Sequence, residues 1–444
     1  MKSIGIDIGT TSISAACVEG DHGTIRRVLE TASVPGGAFL NSGRDWERMQ
    51  DPEEIRRKAG ELLDGMLEKA GGADVIGLTG QMHGIVYTDR QGNAVSPLYT
   101  WQDKRGGQPL EDGRSVCRML KEDYGETVYE GYGLATHLYN CRSGLVPETA
   151  VTFCTVMDWF AMERTGRSRP YMHAGNGAGM GLFDAERGRF RTDILKSLGV
   201  SEDFLPETGM ELPVLGTYRG IPVAAAIGDN QAGFLGAVEE PDRSVLLNMG
   251  TGGQVSVCCE GFQRQPGLET RPLLSSRFLL AGSSLCGGRA YALMARFFRQ
   301  WAEAAGVSLE DPYPVMDRLL DRFWEQEAGE KLQVCTAFAG TREDPAGRGW
   351  IGSISTENFT PEMLLGGVLE GMVSELYDKY RTAAAPVREK KDLLVLSGNG
   401  MRRNRHLQRM AGRVFGMETR LSRREEEAAC GAALAGILAW EEQR

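Results

Sequence analysis

Two stretches of the chain place glycine beside threonine: Gly9-Thr10-Thr11 and Gly250-Thr251-Gly252. Glycine lets backbone N–H groups approach an anion closely, and threonine adds hydroxyl donors. Two such turns facing each other would clamp a phosphate chain from both sides. Asp7 stands just before the first turn, where a carboxylate could hold a hydrated Mg²⁺ against that chain. Asp229, in Gly228-Asp229-Asn230, follows the apolar run Ile221–Ile227 and precedes a helix-like stretch. Its ordinary role would be to cap that helix. Its chemical role would be that of a general base taking a proton from an attacking hydroxyl, and it is the second candidate metal carboxylate after Asp7.

A second set of residues suits hydroxyl recognition. Gln81, Met82 and His83 follow the apolar run Val75–Leu78, and Trp101, Gln102, Asp103, Lys104 and Arg105 come shortly after. Together they supply amide, imidazole, carboxylate and guanidinium groups, with an indole to cover a C–H face, as a polyol site requires. A lone His or Trp more often serves packing, and it is the clustering at strand tips that favours a ligand.

Other chemistries find little support. Of 444 residues 60 are acidic and 50 basic, a net charge of −10 that argues against a nucleic-acid surface. Arg402–Arg409 is basic but carries no aromatic residues, and it reads as a helix start beside a nucleotide. No P-loop occurs, and the one Gly-x-Gly-x-x-Gly, at Gly347–Gly352, follows the loop Thr341–Pro345 instead of a strand, which excludes a dinucleotide fingerprint. The nine cysteines, with no Cys-x-x-Cys spacing, and five scattered histidines predict reduced thiols, no structural metal and a cytoplasmic protein. No apolar segment predicts a signal peptide or a membrane span.

The elements that must hold these residues are strands ending in glycine-rich tips. Ile4, Ile6 and Ile8 alternate into the first turn, and Val245–Leu247 lead into the second, each followed by a returning strand. Asp392–Leu396 ends in Ser397-Gly398-Asn399-Gly400. Helical patterns over 53–68, 290–305, 363–380 and 425–441 separate the strands. In open α/β sheets ligands bind beyond the carboxyl ends of strands. The 58 glycines, nearly twice the ordinary ~7% share, agree with many tight turns. Because the two turns lie slightly more than half the chain apart, the chain is expected to consist of two similar α/β halves. The charged, proline-containing Glu239-Glu240-Pro241-Asp242 sets a boundary, giving residues 1–240 and 241–444.

The set of motifs resembles the FGGY carbohydrate kinases of the actin-like ATPase superfamily over nearly the whole chain. The resemblance implies two actin-like, ribonuclease H-like domains around a cleft, the first binding sugar and the second ATP, with Mg²⁺ on the phosphates. Asp7-Ile8-Gly9-Thr10-Thr11 is similar to the family's first phosphate motif and Gly250-Thr251-Gly252 to its second. Gly398, Asn399 and Gly400, with Asn404, resemble its adenosine motif, Asp229 its catalytic aspartate, and Ala339–Gly349 a recurrent loop. Gln81-Met82-His83-Gly84 resembles the xylulokinase and sedoheptulokinase branch, in which this tip contacts a ketose. Trp101–Arg105, Gly131–Thr136 and Asn176-Gly177-Ala178-Gly179 with Phe183-Asp184 look closer to sedoheptulokinase. Two departures are Ser14, where a Lys or Arg is common, and His173-Ala174, near which an acidic residue is usual. The expected activity is γ-phosphoryl transfer from ATP to a terminal ketose hydroxyl, best matched by sedoheptulose, by a monomer or homodimer with no nucleic-acid or membrane partner. The alternatives are xylulose as substrate, a weakly catalytic sugar sensor on the same fold, and a filament- or chaperone-type ATPase.

Overall fold

The computed structural model describes residues 1–274, 276–326, 330–341, 344 and 346–444. Strands β1 (Lys2–Ile8), β2 (Ser12–Asp21) and β3 (Thr24–Pro35) form an antiparallel meander, with Ile8 opposite Ile13 at its first turn. Helix α1 (Pro52–Ala70) follows. Asp51 caps it by accepting from the Glu53 and Glu54 N–H groups at 2.9 and 3.3 Å, Pro52 occupies its first turn, and Gly71 at φ 63° ends it. Its Ile55, Leu63 and Met66 are buried against the first core, at about 1.5–3 kcal/mol for each such side chain. The chain returns as β4 (Val75–Gly80), parallel to β1.

After helix α2 (Val156–Thr165) come β5 (Val214–Tyr218), β6 (Ile221–Gly228) and helix α3 (Asp229–Ala237). The first six-stranded sheet has the order β5-β6-β4-β1-β2-β3. The second half repeats its centre. Strands β7 (Ser244–Met249) and β8 (Gly253–Glu260) pair antiparallel, β9 (Glu269–Pro272) and β10 (Arg277–Ser284) extend them, and helices α4 (Gly288–Ala304) and α5 (Pro361–Arg381) follow. Then β11 (Leu393–Ser397) runs parallel to β7, helices α6 (Gly398–Arg403) and α7 (Arg405–Phe415) lead on, and β12 (Glu418–Leu421) closes the order β9-β10-β8-β7-β11-β12. In each sheet a central strand pairs antiparallel with its successor and parallel with a strand from beyond a helix.

The last helix, α8 (Glu427–Glu442), is apolar on all sides and returns to the first sheet, although its sequence position groups it with the second. Side chains alternate along β1, so Ser3, Gly5 and Asp7 share one face. A Cβ on Gly5 or Gly77 would run into the α8 backbone at Ala429 or Ala432, and Ser3 Oγ donates to the Ala433 carbonyl at 2.8 Å. The helix therefore lies directly on the strands that carry Asp7, with Glu426, just before it, near that carboxylate.

The Gly347–Gly352 segment is no strand-to-helix unit: Trp350–Gly352 pairs antiparallel with Gln333–Cys335. Arg342, Glu343 and Pro345 of the preceding loop lie outside the described residues. All nine cysteines are free thiols. Among the described residues no helix is long and apolar enough to cross a membrane, and no group of three or more His, Cys, Asp or Glu side chains is placed to hold a metal.

Candidate active site

The tips of β1, β4 and β6 converge because the three strands are adjacent and parallel. Asp7 leaves β1 on the face toward α8. Burial, then the charges of Asp229 and Glu426, push its carboxyl up to about 7. Asp229 opens α3 at its first position. Gly228 occupies the capping position, so Asp229 is not the N-cap residue; its carboxylate accepts from the Asn230 backbone N–H and, at 3.2 Å, from Asn230 Nδ2. Burial raises its pKa, opposed by the positive charge of Arg271. A Cβ on Gly228 would press on Gln231 Oε1 at 2.5 Å and Met82 Sδ at 2.6 Å, so a larger residue there would shift both side chains.

Thr10 links the first turn to the neighbouring tips. Its hydroxyl donates to Gln81 Oε1 at 3.1 Å and accepts from Trp101 Nε1 at 3.0 Å. Gln81 Nε2 donates to Gln50 Oε1 at 2.9 Å, and Gln50 Nε2 donates to the Thr10 carbonyl at 3.0 Å. Thr11 is exposed at the turn, following Thr10. Trp101 keeps 48% of its surface accessible. His83 sits at φ 72°, an unusual conformation for a residue with a side chain, its ring stacked on Tyr132 with centroids 4.5 Å apart. Its Nδ1 lies 2.6 Å from the Gly179 carbonyl, which can only accept, so Nδ1 carries the proton.

Asp103 and Arg105 behave differently from the sequence expectation. Both are buried and their charges face each other: Nε and Nη2 of Arg105 meet the carboxylate at 2.7 and 3.1 Å, and Nη1 donates to Asn140 at 2.8 Å. The second Asp103 oxygen also accepts from the Arg48 N–H at 3.0 Å. A buried arginine between Tyr99 and Trp46 rings needs its counter-ion. The pair fixes the loop that carries Trp101 instead of presenting charge to a ligand. Asn176 is also buried, with Nδ2 donating to the Ala226 carbonyl at 3.1 Å and to Asp158 at 3.4 Å. Asp158, on α2, is a carboxylate the sequence reading passed over. Burial pushes it up to about 7, against hydrogen bonds from Thr155. Of the two departures, Ser14 Oγ donates to Ser33 at 3.1 Å and Ala174 is buried.

The second half forms a cavity of about 970 Å³ that gathers Gly250, Thr251, Asn399, Gly400 and Asn404, residues singled out from far-separated stretches. The Gly250–Gly252 turn is held by backbone alone: the Gly250 N–H donates to the Gly252 carbonyl at 3.0 Å, and the Gly288 and Arg289 N–H groups donate to Gly250 and Thr251 at 2.8 and 3.0 Å. Gly398, at φ 85°, has no room for a Cβ, which would stand 2.7 Å from the Met249 carbonyl. Asn404 Oδ1 caps α7 by accepting from His406 and Leu407. Tyr291 and Tyr313, stacked 5.9 Å apart, line the same cavity. Within the basic run Arg402 pairs with Glu427 and Arg405 with Asp321, Arg409 lies over Trp324, and Arg403 lines the cavity.

The sequence reading missed Gln50, Glu426, Arg271 and the Gly287-Gly288 pair. Only the last carried a local signal, two glycines directly before a helix.

Comparison with known proteins bears on the family and the fold. The model of the FGGY family of carbohydrate kinases, N-terminal domain, matches residues 3–236. The sedoheptulokinase of Mus musculus is 26% identical over 97% of this chain and 96% of its own length. The crystal structure of xylulose kinase from Rhodospirillum rubrum superposes with a TM-score of 0.81 at 21% identity, covering 99% of this chain and 90% of that one. The glycerol kinase of Plasmodium falciparum with ADP does so at 0.73 and 15%, covering 99% and 90%. With a family match over more than half its length and two duplicated sheets, the chain belongs to the FGGY family of carbohydrate kinases: it is an ATP-dependent sugar kinase built on two actin-like domains.

Proposed function

We propose that the acceptor is a ketose, with sedoheptulose preferred, phosphorylated on its terminal hydroxyl. The observation that carries this reading is the end-to-end match to a sedoheptulokinase, 97% of this chain against 96% of that one. The strand tip bearing Gln81, Met82 and His83 supports it, because it pairs an exposed Trp101 face, tied through Thr10 to Gln81, with a His83 ring fixed on Tyr132. We read the chain as two domains, residues 1–240 and 241–444, with α8 crossing from the second to pack on the first sheet.

In this reading Asp229 accepts the proton of the attacking hydroxyl. A loose phosphoryl-transfer transition state requires the base only late, so orientation matters more than basicity. The Gly9–Thr11 turn, with Thr11 at its exposed tip, and the Gly250–Gly252 turn, with Thr251, approach the phosphate chain from opposite halves. Gly398, Asn399 and Gly400 border the nucleoside, with Asn404 holding α7 in place beside it. Mg²⁺ fits the site: two hard carboxylate donors, Asp7 and Asp229, lie close enough that the charge of Asp229 raises Asp7, and a cation would relieve that repulsion. When bound it supplies charge neutralisation on the phosphates. Asp103 and Arg105 act through the loop they brace. We read the protein as a cytoplasmic monomer or homodimer.

The test is a coupled assay of ADP release with sedoheptulose, xylulose and glycerol at matched concentrations. The expected order in kcat/KM is the order named. Glycerol leading would remove the ketose assignment, and xylulose leading would move the chain to the xylulokinase branch. Xylulose is the second reading, favoured by the fold likeness to the Rhodospirillum rubrum enzyme.

A further inference from the structure

Strand β9 belongs to the second sheet, yet its end is pinned to the first half: the Pro272 carbonyl accepts from Gln231 Nε2, on α3, at 3.1 Å. The residue before it, Arg271, is only 4% exposed. Its Nε, 3.2 Å from Glu269, and its Nη2 are both taken up by that carboxylate. Its Nη1 points the other way, to Met82 Sδ at 3.4 Å. A thioether is a weak acceptor for a guanidinium donor, so this side of the fork has charge-assisted capacity to spare. The Asp229 carboxylate and the Tyr132 side chain also lie within electrostatic reach of Arg271, and Tyr132 is the ring on which His83 stacks. Arg271 thus stands among Met82, Tyr132 and Asp229, all from the other half of the chain: Met82 and Asp229 follow the tips of β4 and β6, and Tyr132 carries the stacked His83 ring.

We propose that Arg271 is a substrate-binding residue contributed by the second half, its Nη1 donating to a ketose oxygen close to the reacting hydroxyl. The inference rests on the reading that the first half binds a ketose. It makes the sugar site composite: the strand tips supply the face and the base, and β9 supplies the cation. A planar fork held on one side by Glu269 presents its other donors in a fixed direction, which lysine cannot reproduce.

Binding of sedoheptulose without nucleotide, followed by calorimetry and by Trp101 fluorescence, tests this, together with steady-state kinetics of Arg271→Met and Arg271→Lys. The expected result is at least a tenfold loss of ketose affinity in Arg271→Met, partial recovery in Arg271→Lys, and ATP affinity within about twofold of wild type. A series of deoxy-ketoses sharpens it. The analogue lacking the contacted oxygen should bind wild type and Arg271→Met equally, as a substrate–mutant cycle requires. Should Arg271→Met fail to fold because Glu269 is stranded, the double variant Glu269→Gln/Arg271→Met removes both charges and is measured in its place. Unchanged ketose affinity in the folded variants overturns the inference, as does a loss confined to ATP affinity, which would put the guanidinium on the phosphate chain. If wild-type protein releases no ADP with any ketose, the reading of the site itself fails. If wild type is active and the variants match it, only the role of Arg271 fails.

Discussion

The two Gly-Thr turns occupy equivalent places in the two sheets, and the same spacing that sets Gly9 against Gly250 sets Thr10 against Thr251 and Asp7 against Asn248. Their construction differs. The first turn is tied by side chains, Thr10 to Gln81 and Trp101, with Gln50 closing the network onto its backbone. The second is tied by backbone N–H groups from Gly250, Gly288 and Arg289. Where the first half has the Asp7 carboxylate, the second has the neutral Asn248, whose Nδ2 donates to Ser397 Oγ at 2.6 Å. A duplicated scaffold has thus been specialised: one copy carries a buried carboxylate and a side-chain network at its turn, and the other a backbone-tied turn that opens on a cavity lined by glycines, aromatic rings and the charged Arg289, Asp311, Asp317 and Arg403. Selectivity for an acceptor needs directional side-chain donors, whereas a phosphate chain can be held by N–H groups alone.

The largest expected effect breaks this comparison at its charged end. Asp229→Asn should lower kcat by about 10² to 10⁴ while the ketose dissociation constant stays within a few-fold, as measured by ADP release and calorimetry. Near-normal turnover would leave Asp229 a structural residue. Asp7→Asn should also lose activity and raise the Mg²⁺ concentration needed, and adding Asn248→Asp should not restore it, because that position faces Ser397.

The next effect separates the turns. Thr251→Val should raise KM for ATP about tenfold with little change for the ketose, whereas Thr10→Val should raise KM for the ketose as well, since it releases Gln81 and Trp101. Equal, ATP-only effects at both positions would show that the side-chain wiring of the first turn has no part in acceptor binding. Trp101→Phe keeps the apolar face but loses the bond to Thr10, at about 0.5–1.5 kcal/mol, and should raise KM for the ketose only a few-fold.

The smallest effect concerns stability in acid. His137 and His173, both in the first half, are pushed down to about 4 by burial. A depressed histidine favours folding above its unfolded value of about 6.5, and that contribution is lost as pH falls toward 4, because the unfolded chain takes up the proton first. The raised Asp7 and Asp158 act in the opposite sense over the same range, because the folded chain keeps their protons to higher pH, so the histidine contribution is read from the difference between wild type and a variant. His137→Phe, which keeps the packing on Phe204, should lower the pH slope of stability by about one proton relative to wild type. An unchanged slope would mean that His137 is not buried in its neutral form.

Much of this was legible in the residues. Ile4, Ile6 and Ile8 alternate because one face of their strand meets a core, and glycine marks the tips because backbone must turn and come close there. Local chemistry of this kind is written in consecutive residues. The helix at 427–442 is different: its alanines and glycines announce burial, but only the packed structure shows that it lies on the first sheet, since small residues fit any close helix–sheet contact. Asp103 and Arg105 have the right types for a sugar site, and they became an internal pair because burial left each as the other's counter-ion. Arg271 lies far from Met82 in sequence and in a different sheet, so nothing near it could announce the contact. Periodicity and turn chemistry act over a few residues and determined the strands, their glycine tips and the duplicated halves. Which charges are spent on one another, and which remain to meet a ligand, depended on packing between distant segments and was decided only in three dimensions.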